Sequence, residues 1–216
     1  MFNGVIFDMD GLMFDTERVV FYGWEYAGEI MGYDFGDTFY STLGLTAKST
    51  LELLVNKYGS DFDTEKFTLL KRAFAQKYYD ENGVPVKKGL IELLDYLKAH
   101  SYKIAVATST VFDRAQYLLT LGGIIQRFDA VVTGDMITNG KPDPEIFLLA
   151  CQKLGFPSHE CLVIEDSPFG ITAAHDAGIK AIMVPDMVQP DDETKKLLYA
   201  CSDDLSAVID LLEAAF

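Results

Sequence analysis

Val5-Ile6-Phe7-Asp8-Met9-Asp10-Gly11, residues 5–11, sets three apolar residues directly before two carboxylates and a glycine. An unbroken apolar run of this kind reads as a strand covered on both faces, as in a parallel sheet. Carboxylates at the end of such a strand are costly to desolvate unless something uses their charge.

Similar runs recur along the chain: Ile104-Ala105-Val106-Ala107, Ala130-Val131-Val132, Leu162-Val163-Ile164 and Ala181-Ile182-Met183-Val184. Helical patterns lie between and after them, carried by Ile91, Leu94 and Leu97, by Ala115, Leu118 and Leu119, by Ile146, Leu149 and Leu154, and by Leu205, Val208 and Leu212. Strands alternating with helices predict an α/β fold, a Rossmann-like parallel sheet flanked by helices. Asp143-Pro144 and Ser167-Pro168 each place a capping side chain before a proline at the first helical position, and Gly178 is a stop for the second helix.

About ninety residues separate the first strand from the second, where a single crossover helix needs only a dozen or so. Within that span Leu51, Leu54, Val55 and Tyr58 form one helical stripe, preceded by a capping-box pattern from Ser49 to Glu52. Phe67, Leu70, Phe74 and Tyr78 form another, and Val20-Phe21-Tyr22-Gly23-Trp24 opens a third. The expected organisation is a core made of residues 1–14 and 84–216, with residues 15–83 inserted as a helical cap. The cap's aromatic stripes read as core rather than as a ligand pocket.

Composition excludes several classes. A formal charge of −15, from 33 acidic and 18 basic residues, repels phosphate backbones and anionic lipid surfaces, so neither a nucleic acid polymer nor a membrane is expected as a partner. The N-terminal apolar run is broken by Asp8 and carries no basic stretch, which argues against a signal peptide and for a cytoplasmic protein, a monomer or weak homodimer. Cys151, Cys161 and Cys201 form no CxxC pair and are odd in number, so they read as small buried thiols.

Ligands of open parallel sheets bind beyond the carboxyl ends of the strands. The first strand ends in Asp8 and Asp10, the second in Thr108-Ser109-Thr110, and the fourth in Glu165-Asp166-Ser167; the third leads through Asp135 to Gly140-Lys141-Pro142. If Asp8, Asp10 and Asp166 converge, each like-charge pair at about 4 Å costs on the order of 4 kcal/mol at an effective dielectric near 20, so a cation is required. All-oxygen ligands that also meet a phosphate select Mg²⁺. Asp8 is then the natural nucleophile for an aspartyl-phosphate, and Asp10 can serve as acid and then base. Gly11 allows a close backbone approach to the ligand, while Lys141 and a hydroxyl, Thr108 or Ser109, hold the phosphoryl oxygens.

The motifs Phe7-Asp8-Met9-Asp10-Gly11-Leu12 with Asp15-Thr16-Glu17, Ala107-Thr108-Ser109, Gly140-Lys141-Pro142-Asp143-Pro144-Glu145-Ile146-Phe147 and Ile164-Glu165-Asp166-Ser167-Pro168-Phe169-Gly170-Ile171 together resemble those of haloacid dehalogenase-like superfamily phosphatases, in the β-phosphoglucomutase-like branch. The resemblance implies a helical cap that closes over the substrate. It also implies Mg²⁺ bound by Asp8, the backbone carbonyl of Asp10 and Asp166, with Glu165 as support. Gly11, Ser109, Thr16 and Lys48 are the residues expected to border the substrate.

The implied activity is hydrolysis of a small phosphorylated metabolite, a sugar phosphate or a nucleoside monophosphate. The alternative is a hexose phosphomutase. Mutases of this branch carry a cap histidine where this chain has Val20, and a cap-loop arginine where it offers only Lys48, which favours hydrolysis. A non-enzymatic phosphoacceptor of the receiver type also gathers acids, a hydroxyl and a lysine at strand ends, but the inserted segment has no counterpart in that fold.

Overall fold

The computed structural model describes residues 2–43 and 47–214. Within them the chain divides into two compact units, Met1–Asp15 with Val84–Phe216, and Thr16–Gly83.

In the first unit, the opening apolar run forms β1 (Gly4–Phe7), whose four residues are all buried. The later runs give β2 (Lys103–Ala107), β3 (Ala130–Val132), β4 (Cys161–Glu165) and β5 (Lys180–Met183), and a two-residue β6 (Ala200–Cys201) completes the sheet. All pairings are parallel, in the order β3-β2-β1-β4-β5-β6. The order reverses between β1 and β4, and the carboxyl ends flanking such a reversal form the usual ligand crevice. Register brings the critical residues level: Phe7 pairs with Ile164, and the Asp8 amide donates to the Ile164 carbonyl at 3.0 Å, so Asp8 and Glu165 leave the sheet side by side.

On one face Ile6, Ala105, Val163 and Ala181 pack with Ile146, Phe147 and Ala150 and with Ile171 and Ala174 from two following helices. Removing a side chain the size of Phe147 from water stabilises the fold by roughly 1.5–3 kcal/mol. The chain leaves and re-enters this unit along adjacent paths: the Asp15 amide donates to Pro85 and the Lys87 amide to Met13.

The second unit is helical, with α1 (Thr16–Met31), α2 (Gly36–Tyr40), α3 (Ala47–Tyr58) and α4 (Thr64–Asn82). Its centre is aromatic. The Trp24 ring meets Phe35, Phe39 and Phe67 edge-on at centroid distances of 5.5, 5.5 and 4.9 Å, the arrangement the ring quadrupoles favour. Asp63 caps α4 by accepting the Lys66 amide, and Gly83 ends it at φ +73°.

The first unit's helices are α5 (Leu90–Ala99), α6 (Phe112–Leu121), α7 (Glu145–Leu154), α8 (Pro168–Asp176), α9 (Asp192–Leu197) and α10 (Val208–Glu213). Ser167 caps α8 as expected, accepting the Gly170 amide, with Pro168 in the first turn. Among the described residues, no helix is long and apolar enough to cross a membrane.

Six local expectations need correction. The helix after Asp143-Pro144 begins at Glu145, and the Asp143 carboxylate accepts the Glu145 amide two residues on, making a local turn instead of the expected cap. Ser49 lies inside α3, because helix continues back through Lys48 and Ala47, both good formers, and overrides the capping box. The aromatic segment 20–24 lies inside α1 and does not open it. Leu205 is buried but precedes α10, and α5 buries Leu90, Leu93, Leu94 and Leu97 while Ile91 is partly exposed. Cys151 and Cys161 are buried, but Cys201 is exposed on the short edge strand.

Candidate active site

At the reversal point, Asp8 is 7% exposed and Glu165 only 1%. Lys141, on the loop before α7, reaches both. Its Nζ donates to Asp8 Oδ1 at 2.5 Å, to Glu165 Oε1 at 2.7 Å and to the Ala107 carbonyl at 3.2 Å. An ammonium has three hydrogens, and here each has an acceptor. Lys141 therefore joins the ends of β1, β2 and β4 through one buried charge.

The loop that carries Lys141 is itself tied down. The Glu145 carboxylate accepts the Thr138 amide at 2.9 Å and the Asn139 amide at 2.8 Å, and these bonds hold its pKa below the usual carboxylate value.

Glu165 has both oxygens engaged, since Oε2 accepts the Ser167 amide at 2.6 Å and the Ser167 hydroxyl at 3.0 Å. It occupies space that only a glycine leaves open: a Cβ on Gly170 would sit 1.7 Å from Glu165 Oε1. Gly11 makes a comparable cradle for Asp166. At φ +82° it holds a conformation that L side chains rarely adopt, and a Cβ there would come within 2.3 Å of Asp166 Oδ2.

Asp8, Glu165 and Asp166 each offer a carboxylate oxygen within 4.8 Å of the others. Lys141 bonds two of these three carboxylates through one ammonium. That all-oxygen, charge-rich donor set fits a hard divalent cation such as Mg²⁺. Since Glu165 already serves Lys141 and Ser167, Asp8 and Asp166 are the members best able to hold the ion by their side chains.

Burial is the largest influence on Asp8 and pushes its carboxyl up; Lys141 opposes, Glu165 and Asp10 add to the rise, and the result is about 7. For Lys141, burial works against the charged form, but Asp8 and Glu165 outweigh it and hold the ammonium above its ordinary value. The pair is thus a firm cation beside a reluctant anion, which a bound divalent ion would relieve.

Asp10 turns its carboxylate toward β2. Thr110 Oγ1 donates to Asp10 Oδ2 at 2.7 Å, while Thr108 Oγ1 reaches the same oxygen only at 3.4 Å. Ser109 is exposed, and its hydroxyl is not among the groups bonded to Asp10. Asp8, Asp10, Gly11, Thr108, Lys141, Glu165 and Asp166 are thus brought together. Thr16 begins α1 and Lys48 lies in α3, both in the helical unit; the Lys48 side chain is 87% exposed and faces Glu52 at 3.9 Å. Gly44, Leu45 and Thr46, from the loop before Lys48, lie outside the described residues.

Sequence reasoning passed over Thr110, Glu145 and Gly170. The signal for Thr110 was present, since it closes the hydroxyl run at the end of β2. Glu145 and Gly170 stood inside quoted motifs without a role.

The sequence pattern of haloacid dehalogenase-like hydrolases matches residues 5–184. A phosphorylated carbohydrates phosphatase of Thermotoga maritima is 33% identical over 186 residues, 83% of each chain. A beta-phosphoglucomutase of Bacillus subtilis is 32% identical over 192 residues, 84% of this chain and 83% of that one. In fold, a Thermotoga maritima protein of known crystal structure superimposes with a TM-score of 0.84 at 28% identity, covering 99% of this chain and all of that one. The strand order, the strand-end acids and these similarities agree, and the chain belongs to the haloacid dehalogenase-like hydrolase family.

Proposed function

We propose that the protein is a Mg²⁺-dependent phosphatase that hydrolyses a small phosphorylated metabolite, a sugar phosphate or a nucleoside monophosphate, through an aspartyl-phosphate on Asp8. The observation that carries this reading is the buried Lys141 bridge between Asp8 and Glu165, with Asp166 beside them. It sets a carboxylate, a fixed cation and a divalent-ion donor set at one strand-end crevice.

Asp8 attacks phosphorus, and the bond from phosphorus to the leaving oxygen breaks. Asp10, protonated, gives its proton to that oxygen, releasing an alcohol. A water then attacks the phosphorus of the aspartyl-phosphate and passes a proton to Asp10, while the bond to Asp8 breaks and inorganic phosphate leaves. The Thr108 hydroxyl binds a phosphoryl oxygen, and Lys141, released from Asp8 Oδ1 as that carboxylate attacks, turns the freed hydrogen to another, where charge accumulates. Asp8 and Asp166, with the Asp10 carbonyl, would hold Mg²⁺, which when bound neutralises the phosphoryl charge and orients it for attack. Glu165 keeps Lys141 in place.

The Thermotoga relative's name supports a carbohydrate phosphate as substrate. The Bacillus relative keeps a second reading in play, a hexose phosphomutase that returns the phosphoryl group to sugar. Product analysis decides between them. Turnover of a panel of sugar phosphates and nucleotides with Mg²⁺ is expected to give free phosphate in proportion to substrate lost. Glucose 1-phosphate with a bisphosphate primer giving glucose 6-phosphate and little free phosphate would establish the mutase instead.

A further inference from the structure

We infer that Thr110 is a positioning residue for Asp10: its hydroxyl anchors Oδ2 and so aims the carboxyl at the leaving oxygen, while Thr108 attends to the phosphoryl group. This rests on the reading of Asp10 as acid and base.

The two hydroxyls near Asp10 are unequal. The Thr110 contact, at 2.7 Å, has the length of a well-formed O–H···O hydrogen bond. The Thr108 contact, at 3.4 Å, is too long to fix an orientation. Thr108 Oγ1 instead accepts the Thr110 amide at 3.1 Å, which occupies a lone pair and leaves its one hydrogen for another acceptor. A threonine hydroxyl carries a single hydrogen, so the two residues divide two duties between them.

Thr110 also sits on a braced platform. Its carbonyl accepts the Gly134 amide at 3.1 Å, and Gly134 packs so closely that a Cβ there would lie 2.2 Å from the Ser109 carbonyl oxygen. One residue beyond Val111, the Phe112 amide donates to Asp135 Oδ1 at 3.0 Å, an oxygen that also accepts the Thr133 hydroxyl at 2.6 Å. The loop after β3 thus clamps the loop after β2 on both sides of Thr110. A β-branched side chain held on such a backbone has few rotamers open to it, which suits a fixed anchor.

The duty is visible in how the rate depends on the leaving group. Glucose 6-phosphate expels the glucose alkoxide, which needs the proton from Asp10; p-nitrophenyl phosphate expels the weakly basic p-nitrophenolate, which does not. Hydrolysis of the aspartyl-phosphate needs Asp10 as base for both.

Thr110→Val, close in shape, and Thr110→Ala are therefore expected to lower kcat for glucose 6-phosphate about 10–100-fold with KM within about threefold of the parent. With p-nitrophenyl phosphate the same variants should release one enzyme equivalent of nitrophenol in a burst, followed by slow turnover. Thr110→Ser should recover most of the lost rate. Val and Ala variants that turn over both substrates within about twofold of the parent, or a Ser variant as slow as the Val variant, would overturn the assignment. Asp10→Asn, assayed alongside, separates the two levels. An inactive Asp10→Asn with a fully active Thr110→Val contradicts only the positioning role, whereas a fully active Asp10→Asn contradicts the acid-base reading beneath it.

Discussion

The ammonium of Lys141 donates to Asp8 Oδ1 across 2.5 Å, although the two residues stand 133 positions apart in the chain. The contact also depends on Glu165 as the second anion and on Glu145, which fixes the loop that delivers the lysine.

Lys141→Met removes the ammonium that bridges Asp8 and Glu165 while keeping most of the side chain's volume. Breaking a buried pair from one side costs about 3–5 kcal/mol, and loss of a fixed cation at a transferring phosphoryl group lowers kcat about 10²-fold or more. Urea unfolding and phosphate release should show both effects. A variant with parental stability and rate would mean that the bridge is incidental.

Glu145→Gln keeps the shape of the side chain but retains only one acceptor oxygen for the amides of Thr138 and Asn139. Glu145 is solvated, and water can replace the lost acceptor, so the stability change should be small. The catalytic change should exceed it, because the loop positions Lys141: kcat is expected to fall about tenfold. An unchanged kcat beside a clear loss of stability would reverse that ranking.

Gly170→Ala places a methyl group where Glu165 Oε1 now lies. Glu165 is held by Lys141 and by Ser167, so it cannot simply rotate away, and overpacking of this kind costs about 1–3 kcal/mol. Thermal unfolding should shift down and phosphate release should fall with it. Unchanged melting would show that the crevice yields easily.

The raised Asp8 pKa has a definite pH signature. A carboxyl lifted from 3.8 to about 7 is protonated without penalty at pH 4; its contribution to stability is lost as pH rises through 7 and the buried charge forms. In metal-free buffer the parent should therefore lose stability relative to Asp8→Asn between pH 4 and pH 8. Added Mg²⁺ should raise the parent's Tm more at pH 8 than at pH 5. Calorimetry across that range checks both statements, and a parent-minus-variant difference that does not change with pH contradicts them.

Much of this arrangement was legible before any coordinates. Asp8, Glu165 and Asp166 declared themselves because each follows an apolar run that could only be a buried strand, and parallel pairing then brings strand ends together. The choice among Thr108, Ser109 and Thr110 was not legible, because it depends on which way a loop turns after β2, and that turn is set by Gly134 and Asp135 on a different strand's loop. Ser49 shows the reverse error: a local capping pattern was complete, but the helix around it continued through good helix formers. The short α2, α9 and β6 were missed because two to six residues carry too little periodicity to register. Cys201 was misplaced for a related reason, since an edge strand of two residues leaves its side chain outside.

The most direct test of the aspartyl-phosphate account is to trap the covalent species. The protein is mixed with Mg²⁺ and a turned-over phosphate ester, quenched in acid within the first turnover, digested and analysed by mass spectrometry. The account predicts an acid-stable, base-labile addition of about 80 Da on the peptide carrying Asp8, absent from Asp8→Asn. Phosphate release that proceeds with Asp8 unmodified, or an addition that persists in Asp8→Asn, would contradict it.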